Sequence, residues 1–424
     1  MASDVRTRWH LRVLLRYVAT LAFALISASA LAQTAAGGAG HTVILDANGT
    51  VWTVGANTHG QLGDHTTTTR RTPIKVGGLS DIAAVAAGAN HTMALTRTGR
   101  LYLWGDNANG QVGSGASTRK TPVRSNLRNV VAIAAGASHS VALQSNGDVY
   151  TWGRNTNGQL GNGSTTPSTS PVRVATGVVA VAAGFNHTIF VKSDGSVYAT
   201  GLNAHGQLGD GTTTRRTSPV RMNGISAATR AAGGQKFSVV LLSDGTLVAT
   251  GDNSHGQLGD GTTTQRASPV PVSTLTNVTA IAAGAGHVLA LDSASSVWAW
   301  GLNGNGQVGD GTTTNRSTPT SLTSITSITK IGAGRHHSLA VTLDGVVHAW
   351  GRNARSQLGD GTTVDRRSPT AISSANYDWK VSTPTFNVAA GTYTNTKTVR
   401  VSITTAGATI RYTRNGNEPA ESDP

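Results

Sequence analysis

The sequence predicts an all-β chain: a seven-bladed β-propeller followed by a small, truncated β-sandwich-like module. Three observations carry that expectation. A motif close to A-A-G-x-x-H-[ST]-x-x-L recurs with anchoring glycines at Gly38, Gly88, Gly136, Gly184, Gly234, Gly284 and Gly334, in steps of 48 or 50 residues. A second set, Gly55, Gly105, Gly153, Gly201, Gly251, Gly301 and Gly351, follows 17 residues behind the first in every copy. Between them lie short apolar runs and tight-turn residues instead of helical patterns. A period near 50 with strand content reads as one propeller blade per copy, so the copy number counts the blades.

In chain order, residues 1–32 have the three parts of a secretory signal. A basic stretch ends at Arg16, an apolar stretch runs from Tyr17 to Ala28, and Ala30-Leu31-Ala32 precedes Gln33. The apolar stretch is shorter than the ~20 residues a membrane-spanning helix needs. Cleavage near Ala32 and a secreted or cell-envelope location of a bacterial protein follow. The formal charge of +14 then falls to +11, because Arg6, Arg8, Arg12, Arg16 and Asp4 leave with the signal. With no cysteine, the chain has no disulfide, thiol nucleophile or thiolate metal site.

Residues 33–379 are expected to form the propeller. In the third copy Val130–Ala134 reads as an inner strand, Ser140–Leu143 as a second, and Val149–Trp152 as a third that stops at Gly153. Asn146-Gly147 is expected to be a two-residue hairpin turn with φ > 0 at both positions. Pro171 opens an outer strand through Val174, as do Pro73, Pro122, Pro219, Pro269, Pro319 and Pro369 in the other copies. The first copy lacks an apolar run before Ala35-Ala36-Gly37-Gly38, so Ala371–Trp379 is the candidate to fill that place and close the ring. Residues 380–424 then depart from the repeat, with alternation at Val399, Val401 and Ile403. They stop abruptly at Pro424, as a fragment or a truncated final domain would.

The A-A-G-x-x-H-[ST] and W-G-x-N-x-x-G-Q-L-G segments resemble regulator of chromosome condensation 1 (RCC1) repeats over about residues 35–375. The resemblance implies the RCC1-like propeller. It also implies, remotely, nucleotide-exchange activity on a small GTPase and chromatin binding, neither of which suits an exported chain. A secreted member of this fold that inhibits β-lactamases shows that extracellular relatives can bind proteins. The clustered tryptophans of a photoreceptor member have no counterpart, since Trp104, Trp152, Trp300 and Trp350 fall one per blade. The stretch from Thr383-Pro384-Thr385-Phe386 through Gly407–Thr413 resembles a chitobiase/β-hexosaminidase C-terminal module, an accessory domain that does not imply glycosidase activity.

Few residues invite a chemical role. His41, His91, His139, His187, His287 and His337 share one repeat position, with Phe237 in the remaining copy. Sites about 51° apart around a ring cannot share one ion, and His336-His337 is the single adjacent pair. Gly304-Asn305-Gly306-Gln307-Val308-Gly309 satisfies a dinucleotide-binding glycine pattern but is followed by a loop instead of a helix. Lone Asp-Gly turns at Asp210, Asp260, Asp310 and Asp360 do not build a calcium loop. No catalytic, cofactor or metal site is expected. The charged loops stand out more: Arg70, Arg71, Arg119, Lys120, Arg215, Arg216, Arg266, Arg316, Arg366 and Arg367 precede the blade prolines, while the third copy offers Ser168 and Thr169. They would form a broken basic annulus on one side of the ring, without the aromatic interleaving of single-strand nucleic-acid platforms.

The expectation is therefore a monomeric, non-enzymatic scaffold that binds a protein or mediates surface adhesion through one face. It would use no nucleotide and, after signal cleavage, no membrane segment. Binding of anionic polysaccharide or another envelope polymer through the annulus is the alternative. Partner choice should reside where copies disagree, chiefly the loops before the prolines and Gln235-Lys236-Phe237 in the fifth.

Overall fold

The computed structural model describes residues 34–372, apart from 114 and 116, and two short strands, Thr385–Phe386 and Val401–Ser402. The first blade is an antiparallel meander of β1 (Thr34–Gly37), β2 (His41–Leu45), β3 (Val51–Gly55) and β4 (Arg70–Lys75). Six further four-stranded sheets follow, over residues 82–124, 130–175, 178–221, 228–271, 278–321 and 328–371. Each blade is built from one continuous stretch of chain. The second compact unit shows Thr385 paired with Ser402 and Phe386 with Val401. Residues 1–33, where the signal sequence is expected, Val399, Ile403 and the remainder of the C-terminal segment lie outside the described residues.

Sequence explains the gradient across a blade. β1 and its equivalents are alanine- and glycine-rich, because all seven inner strands crowd around one central cavity of about 320 Å³. β2 is buried along its whole length and β3 nearly so. Such strands, covered on both faces by neighbouring blades, read as near-continuous apolar runs. The core accordingly lies between blades: Val43, Leu45 and Val51 of blade 1 cluster with Ile82, Ala94 and Trp104 of blade 2. Trp104, Trp152, Trp300 and Trp350 are fully buried there. Three of their indoles donate to the preceding blade, to the carbonyls of Gln61 (2.9 Å), Gln257 (3.1 Å) and Gln307 (3.0 Å).

Three details differ from the sequence expectation. The vacancy in blade 1 is filled by Thr34–Gly37 itself, in register with β2 from Thr34↔Leu45 to Gly37↔Thr42. Four small residues suffice because the inner position faces the crowded axis and needs little apolar bulk. Ala371 belongs instead to the outer strand of blade 7, and residues 373–379 lie outside the described set. The prolines do not open the outer strands. Pro73 is the fourth residue of β4, in the irregular stretch between the Gly55↔Arg70 and Thr53↔Ile74 pairs, where an edge strand owes no ladder bond. Finally, the Asn146-Gly147 hairpin has a three-residue loop. Gln144 N–H donates to Asp148 O (2.9 Å), and of the two turn residues only Gly147 has positive φ, 85°.

The ring closes with the bond that joins every other pair of blades. The bend after each anchoring glycine donates a backbone N–H to the next blade's bend: Ala39 to Ala89, Ala89 to Ala137, Ala137 to Phe185, Phe185 to Gly234, Gln235 to Ala285, Ala285 to Arg335 and Arg335 back to Gly38, at 2.9–3.1 Å. Seven interfaces thus carry seven equivalent bonds, and among the described residues no strand is exchanged between the first blade and the last.

Candidate functional site

A polar latch lies just outside this backbone girdle. The Nε2 atoms of His41, His91, His139, His187, His287 and His337 approach the hydroxyls of Thr92, Ser140, Thr188, Ser238, Ser338 and Thr42 of the following blade at 2.9–3.1 Å. Those hydroxyls donate to the carbonyls of Gln61, Gln111, Gln159, Gln207, Gln307 and Gln357 in the blade just left, at 2.6–2.9 Å. A hydroxyl that gives its proton to a carbonyl must accept from the imidazole, so each latch histidine is the neutral Nε2–H tautomer. The anchoring glycine is explained by the same geometry, since a Cβ on Gly38 would overlap the His41 ring. Complete burial is the main cause that lowers the histidine pKa values, to about 3 for His41, His139, His287 and His337 and about 4 for His91 and His187.

The fifth copy departs from this latch at two positions rather than one. Phe237 replaces the histidine, and Val288 replaces the hydroxyl residue it would meet in blade 6; both are fully buried in one apolar cluster. The orphaned Gln257 carbonyl keeps a donor, Trp300 Nε1. Phe237 is thereby a packing residue, and only Gln235 and Lys236 of that sequence irregularity are partly open to solvent.

The basic annulus resolves into two populations. Arg70, Arg216, Arg266, Arg316 and Arg366 pair with Asp64, Asp210, Asp260, Asp310 and Asp360 of their own blades at 2.6–3.2 Å. Each aspartate also accepts bonds from a Thr two residues on and from the Asn that opens the bend, as Asp360 does from Thr362 and Asn353. These hydrogen bonds outweigh partial burial and hold the five carboxyls below the usual carboxylate pKa. Blade 3 lacks both partners, having Asn162 and Ser168 at the two positions. Arg119 is half-buried against Gly115. Arg71, Lys120, Arg215 and Arg367 are exposed, and Arg215 reaches the Thr156 carbonyl of the previous blade at 3.2 Å. The annulus is therefore largely a set of loop clamps with four outward cations. The sequence shows these arginines and the turn aspartates separately; the constant spacing of six residues that pairs them in five copies is the signal that joins them.

The annulus shares its side of the ring with the glycine bends, and this face is where the copies diverge. The residue after each second glycine is Ala56, Asp106, Arg154, Leu202, Asp252, Leu302 or Arg352 in blades 1 to 7. At the mouth of the central cavity four copies place alanine, one Gln235, and the other two Phe185 and Arg335. The Arg335 guanidinium carbon lies 5.4 Å from the Phe185 ring centroid, a cation–π contact between blades 4 and 7. His336 is separated from its neighbour: His337 serves the latch, whereas His336 lies near Arg335 and Arg352, with burial and those two charges lowering its pKa to about 4. No group of three or more His, Cys, Asp or Glu residues that could hold a metal occurs among the described residues. Among them, too, no helix is long and apolar enough to cross a membrane.

A rigid ring whose interior repeats and whose rim does not is a β-propeller of the interaction-platform class. The chain belongs to the RCC1-like domain family, whose description matches residues 16–323, and RCC1 repeats match residues 328–357 and 344–393. A chitobiase/beta-hexosaminidase C-terminal domain matches residues 388–424. No curated protein sequence matches the chain. Among solved structures it is similar to yeast RCC1 (Prp20) bound to Kap60, at 24% identity and TM-score 0.70, covering 81% of this chain and 85% of that one. Human WBSCR16 is similar at 23% identity and TM-score 0.69 over 79% and 94% of the two chains. Prp20p from Saccharomyces cerevisiae, described with its binding properties to Gsp1p and histones, is similar at 25% identity and TM-score 0.68 over 76% and 85%. An RCC1-like propeller is in general a scaffold for protein interaction.

Proposed function

We propose that this protein is an exported, non-enzymatic platform that binds another protein through the glycine-bend face. One observation carries the reading: all seven interfaces keep one backbone girdle, yet the rim position above it runs through buried Ala56 and the more open Asp106, Arg154, Leu202, Asp252, Leu302 and Arg352. Side chains that the fold does not need are those a partner can select. Similarity to Prp20p, with its reported binding to Gsp1p and histones, supports protein binding as the general mode without indicating those partners here. The signal-like residues 1–32 support export, and the latch histidines, tied into packing, offer no free general base. The polysaccharide alternative loses support because five annulus arginines are neutralised within their own blades.

The test compares the two faces by cross-linking capture from the source cell envelope. Phe185→Ala/Lys236→Glu/Leu302→Ser alters the glycine-bend face. Val131→Ser/Val179→Ser/Leu343→Ser alters exposed apolar residues at the opposite end of the blades. Protein capture should disappear with the first variant and persist with the second. Loss with the second alone would assign binding to the other face and overturn the reading.

A further inference from the structure

Along the rim of the glycine-bend face, the loop of one blade is tied to the next by polar side chains. His205 meets Gln265 (3.2 Å), His255 meets Asn315 (3.3 Å) and Asn305 meets Asp365 (3.0 Å). The corresponding pair at the junction of blades 7 and 1 is Arg355 and Thr69, and no bond joins them. The Arg355 stem instead lies over the Gly40 bend of blade 1, where a Cβ on Gly40 would come within 2.7 Å of Arg355 Cδ. Arg335 is anchored to the same bend by its backbone bond to Gly38, 2.9 Å. Arg352 is fixed alongside, its N–H donating to the His336 carbonyl at 2.8 Å. Two loops of blade 7 thus carry Arg335, Arg352 and Arg355 on the glycine-bend face, Arg355 leaning over blade 1 and Arg335 reaching over the cavity mouth to Phe185 of blade 4; this stretch of the face is the seam.

All three are exposed, and none forms an ion pair with an acid among the described residues. This contrasts with the five annulus arginines, each of which has its own aspartate. Beside them His336 Nδ1 is buried without a hydrogen-bond partner. The Phe185 ring under Arg335 orients its guanidinium while leaving the N–H edges open to an oxyanion. We propose that this seam receives a short acidic segment of a partner protein, its carboxylates bound by Arg335, Arg352 and Arg355.

Geometry favours a short acidic segment over a long polyanion. Guanidinium forks match carboxylates bidentately and tightly. An extended polyanion following this face would cross Asp106 in blade 2 and Asp252 in blade 5, where like charge repels it. The inference deepens the platform reading and rests on it.

The test uses a fluorescein-labelled octapeptide of aspartate and glutamate, followed by anisotropy with the full chain. Arg335→Ala/Arg352→Ala/Arg355→Ala should weaken binding by roughly tenfold or more. The charge-matched control Arg71→Ala/Lys120→Ala/Arg367→Ala should change it less than about twofold. Arg352→Lys, which keeps the charge at an exposed position, should fall between them, because a point charge replaces a fork. Equal weakening by both triple variants, or no binding by the native chain, overturns the proposal. So does tighter binding of a sulfated octasaccharide than of the peptide. If the seam variant leaves peptide affinity unchanged while face-dependent capture persists, the seam assignment fails and the platform survives; loss of face-dependent capture defeats the platform itself.

Discussion

The interface between blades 6 and 7 and the one between blades 5 and 6 achieve the same contact with opposite chemistry. In the first, His287 bonds Ser338 at 2.9 Å and Ser338 bonds the Gln307 carbonyl at 2.7 Å. In the second, Phe237 and Val288 are both apolar, and Trp300 alone serves the Gln257 carbonyl at 3.1 Å. Blade 3 shows the same logic at the rim, where Asn162 and Ser168 together replace an aspartate–arginine clamp. A polar pair and an apolar pair are each self-consistent, whereas half of one facing half of the other would bury an unmet group. At the junction of blades 5 and 6 the latch has changed on both of its sides together.

Acid should separate the two kinds of interface most strongly. The six latch histidines have folded pKa values of about 3 to 4, below the ordinary 6.5. Below pH 6.5 the unfolded chain binds protons that the folded chain refuses. Stability is therefore full above that pH and is lost as pH falls toward the folded values. Six such groups give a limiting slope of roughly 8 kcal/mol per pH unit. Denaturant titrations at a series of pH values should show the ring unfolding well before pH 4. A flat profile between pH 6.5 and 4.5 would mean that the imidazoles are not buried neutral.

Next in size is the mixed interface itself. Phe237→His should cost about 2–4 kcal/mol, because it leaves an imidazole N–H facing Val288 and loses aromatic packing. Adding Val288→Ser should recover a part of that, with a coupling of about 1–3 kcal/mol in a double-mutant cycle followed by denaturant unfolding. In the double variant seven histidines instead of six should refuse protons on folding, so its loss of stability with falling pH should steepen by one proton. Additive effects would show that the two positions do not act as a pair.

The smallest effect belongs to the rim clamps. Arg366→Ala should cost about 0.5 kcal/mol, as expected for an ion pair whose arginine is one-third exposed. Asp360→Ala should cost more, about 1–2 kcal/mol, since Asn353 and the backbone and hydroxyl of Thr362 lose their acceptor as well. Thermal unfolding of the two variants ranks them. The reverse order would mean that the arginine matters for its own contacts and not as a brace for the aspartate.

Blade number, strand order and the anchoring glycines were legible because each is a local pattern repeated seven times. The latch is only half legible: each histidine is visible, but its partner sits 49 to 51 residues away or, for His337, at Thr42 near the other end of the chain. Comparing the residue after the histidine in each following copy would have exposed Val288 as the answer to Phe237. The seam arginines escaped notice because they occupy three different repeat positions and are united only by closure. The inner strand of blade 1 is hard to see in the sequence because it carries no apolar run. At the crowded axis, smallness is the requirement.

Closure by equivalent side-by-side bonds has a topological consequence. Successive blades are strung by crossings of only two to six residues, as at Ala175 to Val178 and Lys75 to Ile82. A crossing of that length from Ala371 to Thr34 would make the seventh junction like the other six, so that an opened crossing elsewhere could serve as the origin. The ring is cyclic in its bonding even though the polypeptide is linear, and its blades have neighbours but no first member.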